Sequence, residues 1–188
     1  MKNEIILADP PWMYRDKANA GKRGAGYKYA CITIGELGAL EPKTIAAPDC
    51  ALFLWATFPL LTEALWLINK WGFKYRTVAF TWVKTNKVSK SYAFGMGNWT
   101  RSNAEVCLLA TIGKPKRVNA GVQQIVQAPR LKHSAKPPKV RERIVKLMGD
   151  RPRIELFARD KAPGWEATGL ELDGRDIREF LDSHALKT

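Results

Sequence analysis

The tetrapeptide Asp9-Pro10-Pro11-Trp12 is the part of this 188-residue sequence whose residue types could do chemistry. It directly follows a short apolar run, Glu4–Ala8, which predicts a buried strand that ends at the prolines. Both proline rings fix φ and remove an amide hydrogen, and a residue before a proline favours extended geometry. We therefore expect backbone carbonyls with fixed directions at this corner, beside a carboxylate and a flat aromatic ring.

This set of groups suits a planar base that carries an exocyclic amine. The Asp9 carboxylate and a neighbouring carbonyl accept the two N–H bonds of the amine, and we expect the Trp12 indole to stack on the base. The 6-amino group of adenine is a poor nucleophile, because its lone pair is delocalised into the ring. Two fixed acceptors stabilise the positive charge that develops as this nitrogen attacks a methyl group in line. The corner thus predicts direct methylation of adenine N6 with S-adenosylmethionine as the donor; the alternative is a proline turn with a surface or core tryptophan.

The charge of the chain indicates a polyanionic partner. Thirty-one Lys and Arg residues against 18 Asp and Glu give a formal net charge of +13. The excess is uneven: Lys114–Lys161 holds 14 basic and 4 acidic residues, and residues 64–104 hold 7 basic residues and no carboxylate. Clustered positive charge points most simply to a nucleic acid, with a solvated basic surface as the alternative.

Several classes of protein are excluded by composition. No apolar run approaches the roughly 20 residues of a membrane span. Three widely spaced cysteines and two histidines make neither a disulfide framework nor a metal centre. We expect a single domain over residues 1–188, no bound metal, no membrane association and a reducing, cytoplasmic setting.

Strands and helices alternate along the chain, which predicts an α/β fold with a mostly parallel sheet and helices on both faces. Ligands of such sheets bind outside the carboxyl ends of the strands. We expect Trp55, Trp66 and Trp71 to lie in the core. Strands are predicted at Glu4–Ala8, Cys50–Ala56, Lys74–Lys84, Glu105–Ile112 and Arg153–Ala158, and helices at Pro59–Trp71, Pro137–Met148 and Asp173–Leu181.

The sequence resembles the S-adenosylmethionine-dependent adenine-N6 methyltransferases related to the catalytic subunit of the eukaryotic mRNA adenosine methyltransferase. Small versions of this family occur in bacteria and phages, which implies the cytoplasm of a bacterial or phage-infected cell. The resemblance implies a Rossmann-like sheet with a permuted motif order, the substrate motif being N-terminal and the cofactor strand C-terminal. Its motifs follow the family's order and are Asp9–Trp12, Leu52–Trp55, Trp71–Phe73, Trp82–Asn86, His133–Pro137, Ile154–Arg159 and Gly164-Trp165.

The resemblance also implies residues for catalysis and for the cofactor. Asp9, Pro10, Pro11 and Trp12 would be catalytic. Lys136 would pair with the cofactor carboxylate, Arg159 would reach its ribose hydroxyls or carboxylate region, and Glu171 would lie near its ribose or adenine. A solvated or surface-paired charge is the alternative for each of these three. The predicted cofactor-binding residues are Ala8, Asp9, Lys136, Arg159 and Glu171.

Substrate contacts are predicted on three loops where cations and aromatic residues alternate. This pattern fits neutralisation of a nucleic-acid backbone together with base stacking, and a single cation more often contacts phosphate than a base. By the resemblance, Tyr29 matches a tyrosine of the family's substrate site; an aromatic side chain that packs within the loop is the alternative. The predicted residues are Arg15, Lys17, Lys22, Arg23 and Tyr29 on the first loop, Lys87, Trp99 and Arg101 on the second, and Arg130, Lys132 and His133 on the third.

The predicted substrate is DNA. The same reaction on RNA and a catalytically silent nucleic-acid-binding subunit are the alternatives. An adenine in a duplex has to be unstacked before its amine can be reached, so the enzyme would flip the base or use single strands. The protein is expected to be a monomer or a homodimer, since relatives pair through the second loop region.

Overall fold

A computed structural model describes residues 2–13, 32–95, 97, 99–131 and 135–185. The strands are β1 (Asn3–Ala8), β2 (Ala46–Ala56), β3 (Lys74–Thr85), β4 (Ala104–Ile112), β5 (Ile125–Pro129), β6 (Arg153–Leu156) and β7 (Glu166–Thr168). The helices are α1 (Ile34–Gly38), α2 (Leu61–Lys70), α3 (Lys139–Met148), α4 (Leu170–Asp173) and α5 (Ile177–Ala185). All seven strands form one sheet in the order β5-β3-β4-β2-β1-β6-β7. Only β4 runs antiparallel to its neighbours, so the predicted α/β fold with a mostly parallel sheet is confirmed.

Strand β1 lies in the middle of the sheet and places the proline corner. It pairs in parallel with β2 on one side and β6 on the other, with Ala8 opposite Leu54 and Leu156. Ile5 and Ile6 are both fully buried because helices cover both faces, which is why this strand is continuously apolar and does not alternate. Asp9 therefore leaves the sheet at the edge where parallel strands end.

Two apolar layers flank the sheet. Successive residues of a strand point to opposite faces. Ile6, Leu52 and Leu54 pack with α2 and α5 on one face. Leu7, Phe53 and Trp55 pack with α3 on the other. No helix in the described part of the chain is long and apolar enough to cross a membrane.

The predicted helix after β2 is present, but one of its tryptophans does not lie where we expected. It begins with a short 3-10 turn, Phe58–Leu60, and continues as α2. Trp71, just beyond its end, is buried as predicted. Trp66 is half-exposed, so its assignment to the core was wrong. Its ring lies across Gly38, where a Cβ atom would come within 2.5 Å of the ring, and this contact leaves one face of the indole in solvent.

The sequence patterns missed the shortest elements. β5 lies at the edge of the sheet and ends at Pro129, and β7 has only three residues. Elements this short depend on pairing with a neighbouring strand, which a local pattern does not show. The predicted helix Asp173–Leu181 is in fact α5, which begins at Ile177. Gly174, at φ 70, separates it from α4, because a left-handed residue interrupts a helix.

Candidate active site

The corner after β1 holds its carbonyl groups in fixed directions, as its prolines predict. The carbonyl oxygen of Pro10 accepts the Trp12 N–H at 2.9 Å, and that of Pro11 accepts the Ile32 N–H at 3.0 Å. Trp12 and Ile32 also form an isolated parallel bridge. A carbonyl oxygen has two lone pairs, so one bond fixes its direction and leaves it able to accept another hydrogen.

The indole of Trp12 is not available for stacking. It is 7% exposed and belongs to the core, and its Nε1–H donates to the carbonyl oxygen of Trp55 at 3.1 Å. The prediction that this ring stacks on a base is therefore wrong for the described structure. The pairing with Ile32 turns the ring beneath the corner, where a buried indole finds the hydrogen-bond partner that it needs. Trp12 fastens the corner to the end of β2.

Four alternating charges form a buried network beside the corner, which we call the charge network. Lys136 Nζ donates to Asp9 Oδ2 at 2.8 Å and lies 3.4 Å from Glu105 Oε2. Glu105 is also paired with Lys84. The four side chains are only 12 to 18% exposed. Each charge thus has an opposite partner, which is what allows them to be buried.

Two tryptophan rings support the ammonium groups of the network. Lys136 Nζ lies 5.6 Å from the ring centroid of Trp55, and Lys84 Nζ lies 5.0 Å from that of Trp82. The two rings meet edge to face at 6.4 Å and 78°. These distances suit cation–π attraction. Each ammonium is thereby held between carboxylates and an aromatic ring.

The pKa values show which member of the network is sensitive to pH. Burial raises the pKa of Asp9, against the attraction of Lys136. Burial alone would lower the pKa of Lys136, but Asp9 and Glu105 outweigh it and the pKa is raised. Burial likewise opposes ionisation of Glu105, yet Lys136 and Lys84 leave its pKa lowered. Lys136 thus stays an ammonium, and burial makes the Asp9 carboxylate easier to protonate than an ordinary aspartate.

A second ion-pair cluster lies beside the first. Arg141 of α3 donates two hydrogen bonds to Glu155 of β6, from Nε to Oε2 at 2.6 Å and from Nη2 to Oε1 at 3.0 Å. The same Nη2 donates to Asp160 Oδ1 at 2.6 Å. Burial raises the pKa of Glu155, against the attraction of Arg141. A two-pronged guanidinium contact fixes orientation as well as charge, so both carboxylates are held in place.

A cavity of about 70 Å³ lies between the two clusters. Asp9, Lys136 and Arg159 line it together with Glu155 and Phe157. Phe157 has φ 60, an uncommon left-handed conformation for a residue of this size, and such conformations cluster at functional sites. Cations and carboxylates around one cavity fit the carboxylate and ammonium groups of an amino-acid moiety. The residues present therefore suit the methionine end of S-adenosylmethionine.

The structure brings together most of the residues predicted for the cofactor. Ala8 is buried at the end of β1, next to Asp9. Arg159 Nε lies 3.5 Å from Glu171 Oε1, and Glu171 is half-exposed at the start of α4. Arg159 lines the cavity, and Glu171 pairs with it from outside the lining.

The predicted substrate residues fall into two groups. Lys87, Trp99, Arg101 and Arg130 are all exposed, as contact with a large partner requires. The others lie outside the described residues. These are Arg15, Lys17, Lys22, Arg23, Tyr29, Lys132 and His133.

Sequence reasoning gave no role to Glu105, Lys84 or Arg141. Glu105 had a weak signal, being a carboxylate at the head of an otherwise apolar strand. Its contact with Lys136 depends on the antiparallel course of β4, which brings the start of that strand to the edge where β1 ends. Nothing in the local sequence shows that course.

Comparisons with known proteins show the family of the chain. The MT-A70 family profile matches residues 3–171. The chain is 34% identical to the Type II methyltransferase M.MunI of a Mycoplasma species, over 94% of this chain and 80% of that protein. It is 28% identical to the N(6)-adenosine-methyltransferase MT-A70-like protein of Drosophila melanogaster and 26% identical to the human N(6)-adenine-specific methyltransferase METTL4. It spans only 27% and 37% of the lengths of these two proteins.

Proposed function

Because the chain belongs to the MT-A70 family of methyltransferases, we propose that it transfers a methyl group from S-adenosylmethionine to the 6-amino group of adenine in DNA. The observation that carries the proposal is the position of the Asp9 carboxylate. Asp9 directly precedes Pro10, whose carbonyl has a fixed direction, and it lines a cavity with the donor set for the methionine end of the cofactor. Similarity to a Type II methyltransferase supports DNA as the substrate.

The corner recognises the amine by accepting both of its hydrogens. Asp9 takes one N–H bond and the Pro10 carbonyl takes the other, so the nitrogen becomes more tetrahedral and its lone pair is less delocalised into the ring. Acceptors that do not have to reorganise stabilise the positive charge as it develops on nitrogen. Lys136 holds Asp9 in position for this purpose. No base has to remove a proton before the methyl group is transferred, because the proton leaves more easily afterwards.

The cofactor would be held by the charged groups around the cavity. S-adenosylmethionine, when bound, supplies a methyl group made electrophilic by its sulfonium. Lys136 and Arg159 offer cations for its carboxylate, and Glu155 offers a carboxylate for its ammonium. Glu171, next to Arg159, is placed to accept hydrogen bonds from ribose hydroxyls.

RNA is the second candidate substrate. The fly relative is named as an adenosine methyltransferase, which favours a ribonucleoside for that protein. A catalytically silent binding subunit is disfavoured, because it would have no use for the acceptor corner. The predicted cations would neutralise the backbone of either nucleic acid.

Methyl transfer to matched DNA and RNA oligonucleotides, followed with radiolabelled cofactor, tests the proposal. We expect transfer to DNA, and a rate reduced by at least about 100-fold in Asp9→Asn, because a preorganised charged contact is lost. Asp182→Asn, an exposed change on α5, is the matched control and should act as the wild type does. Calorimetric titration with S-adenosylmethionine then separates lost chemistry from lost binding. Undiminished transfer by Asp9→Asn would refute the role of the corner.

A further inference from the structure

The loop that joins β3 to β4, residues 86–103, exposes large apolar side chains. We call it the β3–β4 loop. Trp99 is 99% exposed and Phe94 is 79% exposed, and Val88 and Tyr92 are also exposed. Soluble proteins rarely expose several large apolar side chains together unless they contact a partner.

Backbone hydrogen bonds fix the two ends of this loop. Ala93 N donates to the Lys84 carbonyl at 2.8 Å, and Lys84 N donates to the Asn103 carbonyl at 2.8 Å. Asn86 N donates to the Ser91 carbonyl at 2.9 Å, which closes a turn inside the loop. Ala93 is buried between its two exposed aromatic neighbours. The aromatic side chains therefore point outward from a folded segment.

Two glycines let the backbone fold tightly just before Trp99. A Cβ atom at Gly95 would lie 1.8 Å from the carbonyl oxygen of Ser102, and one at Gly97 would lie 2.1 Å from that of Thr100. Neither position accepts a side chain without rearrangement of the backbone. The sequence thus contains residues that build a tight turn with a tryptophan at its outer side.

The charge around the loop favours a polyanion over a second copy of this chain. Residues 86–103 include Lys87, Lys90 and Arg101 and no carboxylate. Arg130 joins them, since its Nη1 donates to the Phe94 carbonyl at 3.4 Å. None of these cations forms an ion pair with any residue that the structure describes. The sequence allows a homodimer that pairs through this loop. Two copies that met there would bring like charges together, whereas a nucleic-acid backbone would neutralise them.

The loop is anchored at the candidate active site. Lys84 lies one residue before the end of β3, and Glu105 lies one residue after the start of β4. Both residues belong to the charge network that contains Asp9. Trp99 is four residues from Asn103, so it lies within about 14 Å of that anchor. The aromatic side chains are therefore carried at the border of the site.

We propose that Trp99 and Phe94 form a wedge that unstacks duplex DNA beside the target adenine, which makes double-stranded DNA the substrate. This inference rests on the proposed function. Among the described residues of the corner, no ring is open to an extruded base, since Trp12 is buried, whereas Trp99 and Phe94 are exposed near the site. Apolar side chains inserted at a base step replace lost stacking and make extrusion of a base easier.

The test compares methylation rates on three substrates of one sequence: a paired duplex, a duplex with an abasic site opposite the target adenine, and a single strand. In Trp99→Ala we expect the ratio of paired-duplex rate to single-strand rate to fall at least about tenfold, the size of a lost stacking contact. The abasic site should restore much of the duplex rate, and Phe94→Ala should give a smaller loss. Trp99→Phe, which keeps a ring, should recover most of the ratio.

Tyr75→Ala is the control, because Tyr75 is exposed at the opposite end of β3 and should leave the ratio unchanged. Equal loss on all three substrates, or no loss, would overturn the wedge. A change of oligomeric state in Trp99→Ala, measured by sedimentation, would overturn it in favour of a protein interface.

Fluorescence of 2-aminopurine at the target position separates failure of the wedge from failure of the proposed function. This probe brightens when its base leaves the stack, whether or not a methyl group is transferred. We expect the wild-type protein to brighten the duplex probe and Trp99→Ala to do so much less. If the wild type brightens the probe but methylates no adenine, the proposed function fails and the wedge stands; without any brightening, the wedge fails.

Discussion

Two groups of charged side chains lie at the same end of the sheet, and they differ in what their charge can do. In the charge network, Lys136 and Lys84 are largely buried and each is paired with a carboxylate. In the β3–β4 loop, Lys87 and Arg101 are exposed and form no ion pair with the described residues. The first group holds Asp9 in place and attracts little from outside. Only the second group has charge to offer a polyanion, although both contribute equally to the net charge of the chain.

The same difference divides the basic segment Lys114–Lys161. Among its 14 cations, five pair with carboxylates in the described structure and have less charge to offer a partner. Lys116 and Arg117 are exposed and free of ion pairs with the described residues. The segment's cations that pair with carboxylates are Lys136, Arg141, Arg151, Arg153 and Arg159.

The largest effect should come from removing the cation shared within the network. Lys136→Met removes the ammonium group that pairs with the largely buried carboxylates of Asp9 and Glu105. Removing one partner of a buried ion pair costs about 3–5 kcal/mol. We expect a loss of that size in the free energy of unfolding, measured by urea denaturation. Lys139→Met, an exposed change at the start of α3, should stay within about 0.5 kcal/mol of the wild type. Equal stabilities of the two variants would show that the network does not couple its charges.

A smaller effect should appear in the pH profile of Glu105→Gln. Asp9 acts as a carboxylate, so the rate falls as the pH falls through its raised pKa. The negative charge of Glu105 contributes to that raised pKa. Without this charge, Asp9 no longer shares the ammonium group of Lys136 with a second carboxylate. The acid limb of the rate profile should therefore move to lower pH.

The control for this shift is Glu142→Gln, an exposed change on α3. Its acid limb should coincide with that of the wild type. An acid limb of Glu105→Gln that stays in place or moves to higher pH would contradict the coupling between Glu105 and Asp9.

The smallest effect concerns the salt dependence of DNA binding. Each cation that contacts a phosphate adds about 0.9 to the slope of log K against log salt on a duplex. The double variant Lys87→Ala/Arg101→Ala should reduce the magnitude of the slope by about 1.8. Lys70→Ala/Lys74→Ala removes exposed charge near the far end of β3 and should leave the slope as it is. If both pairs change the slope alike, the β3–β4 loop has no special place in binding.

Sequence reasoning succeeded where the cause of a structure is local. The prolines after β1 fix their own φ, so the rigid corner at Asp9 was predicted from the tetrapeptide Asp9–Trp12 alone. The burial of Trp12 was not, because it depends on pairing with Ile32 across a segment of the chain.

Long-range contacts explain the rest. Lys136 was predicted to contact the cofactor carboxylate, and this stays a prediction. Its bonds to Asp9 and Glu105 were not predicted, because they join three separate segments of the fold. Arg141 looked like one cation among many until α3 placed it against Glu155. Exposure of Trp99 is likewise a property of how the β3–β4 loop folds and not of its composition.

A crystal structure with S-adenosylhomocysteine and an adenine-containing oligonucleotide tests the central claim most directly. The account predicts the adenine 6-amino nitrogen within about 3 Å of both the Asp9 carboxylate and the Pro10 carbonyl oxygen. It also predicts the sulfur atom at the cavity lined by Lys136 and Arg159. A cofactor bound away from Asp9, or an adenine whose amine faces other acceptors, would contradict it.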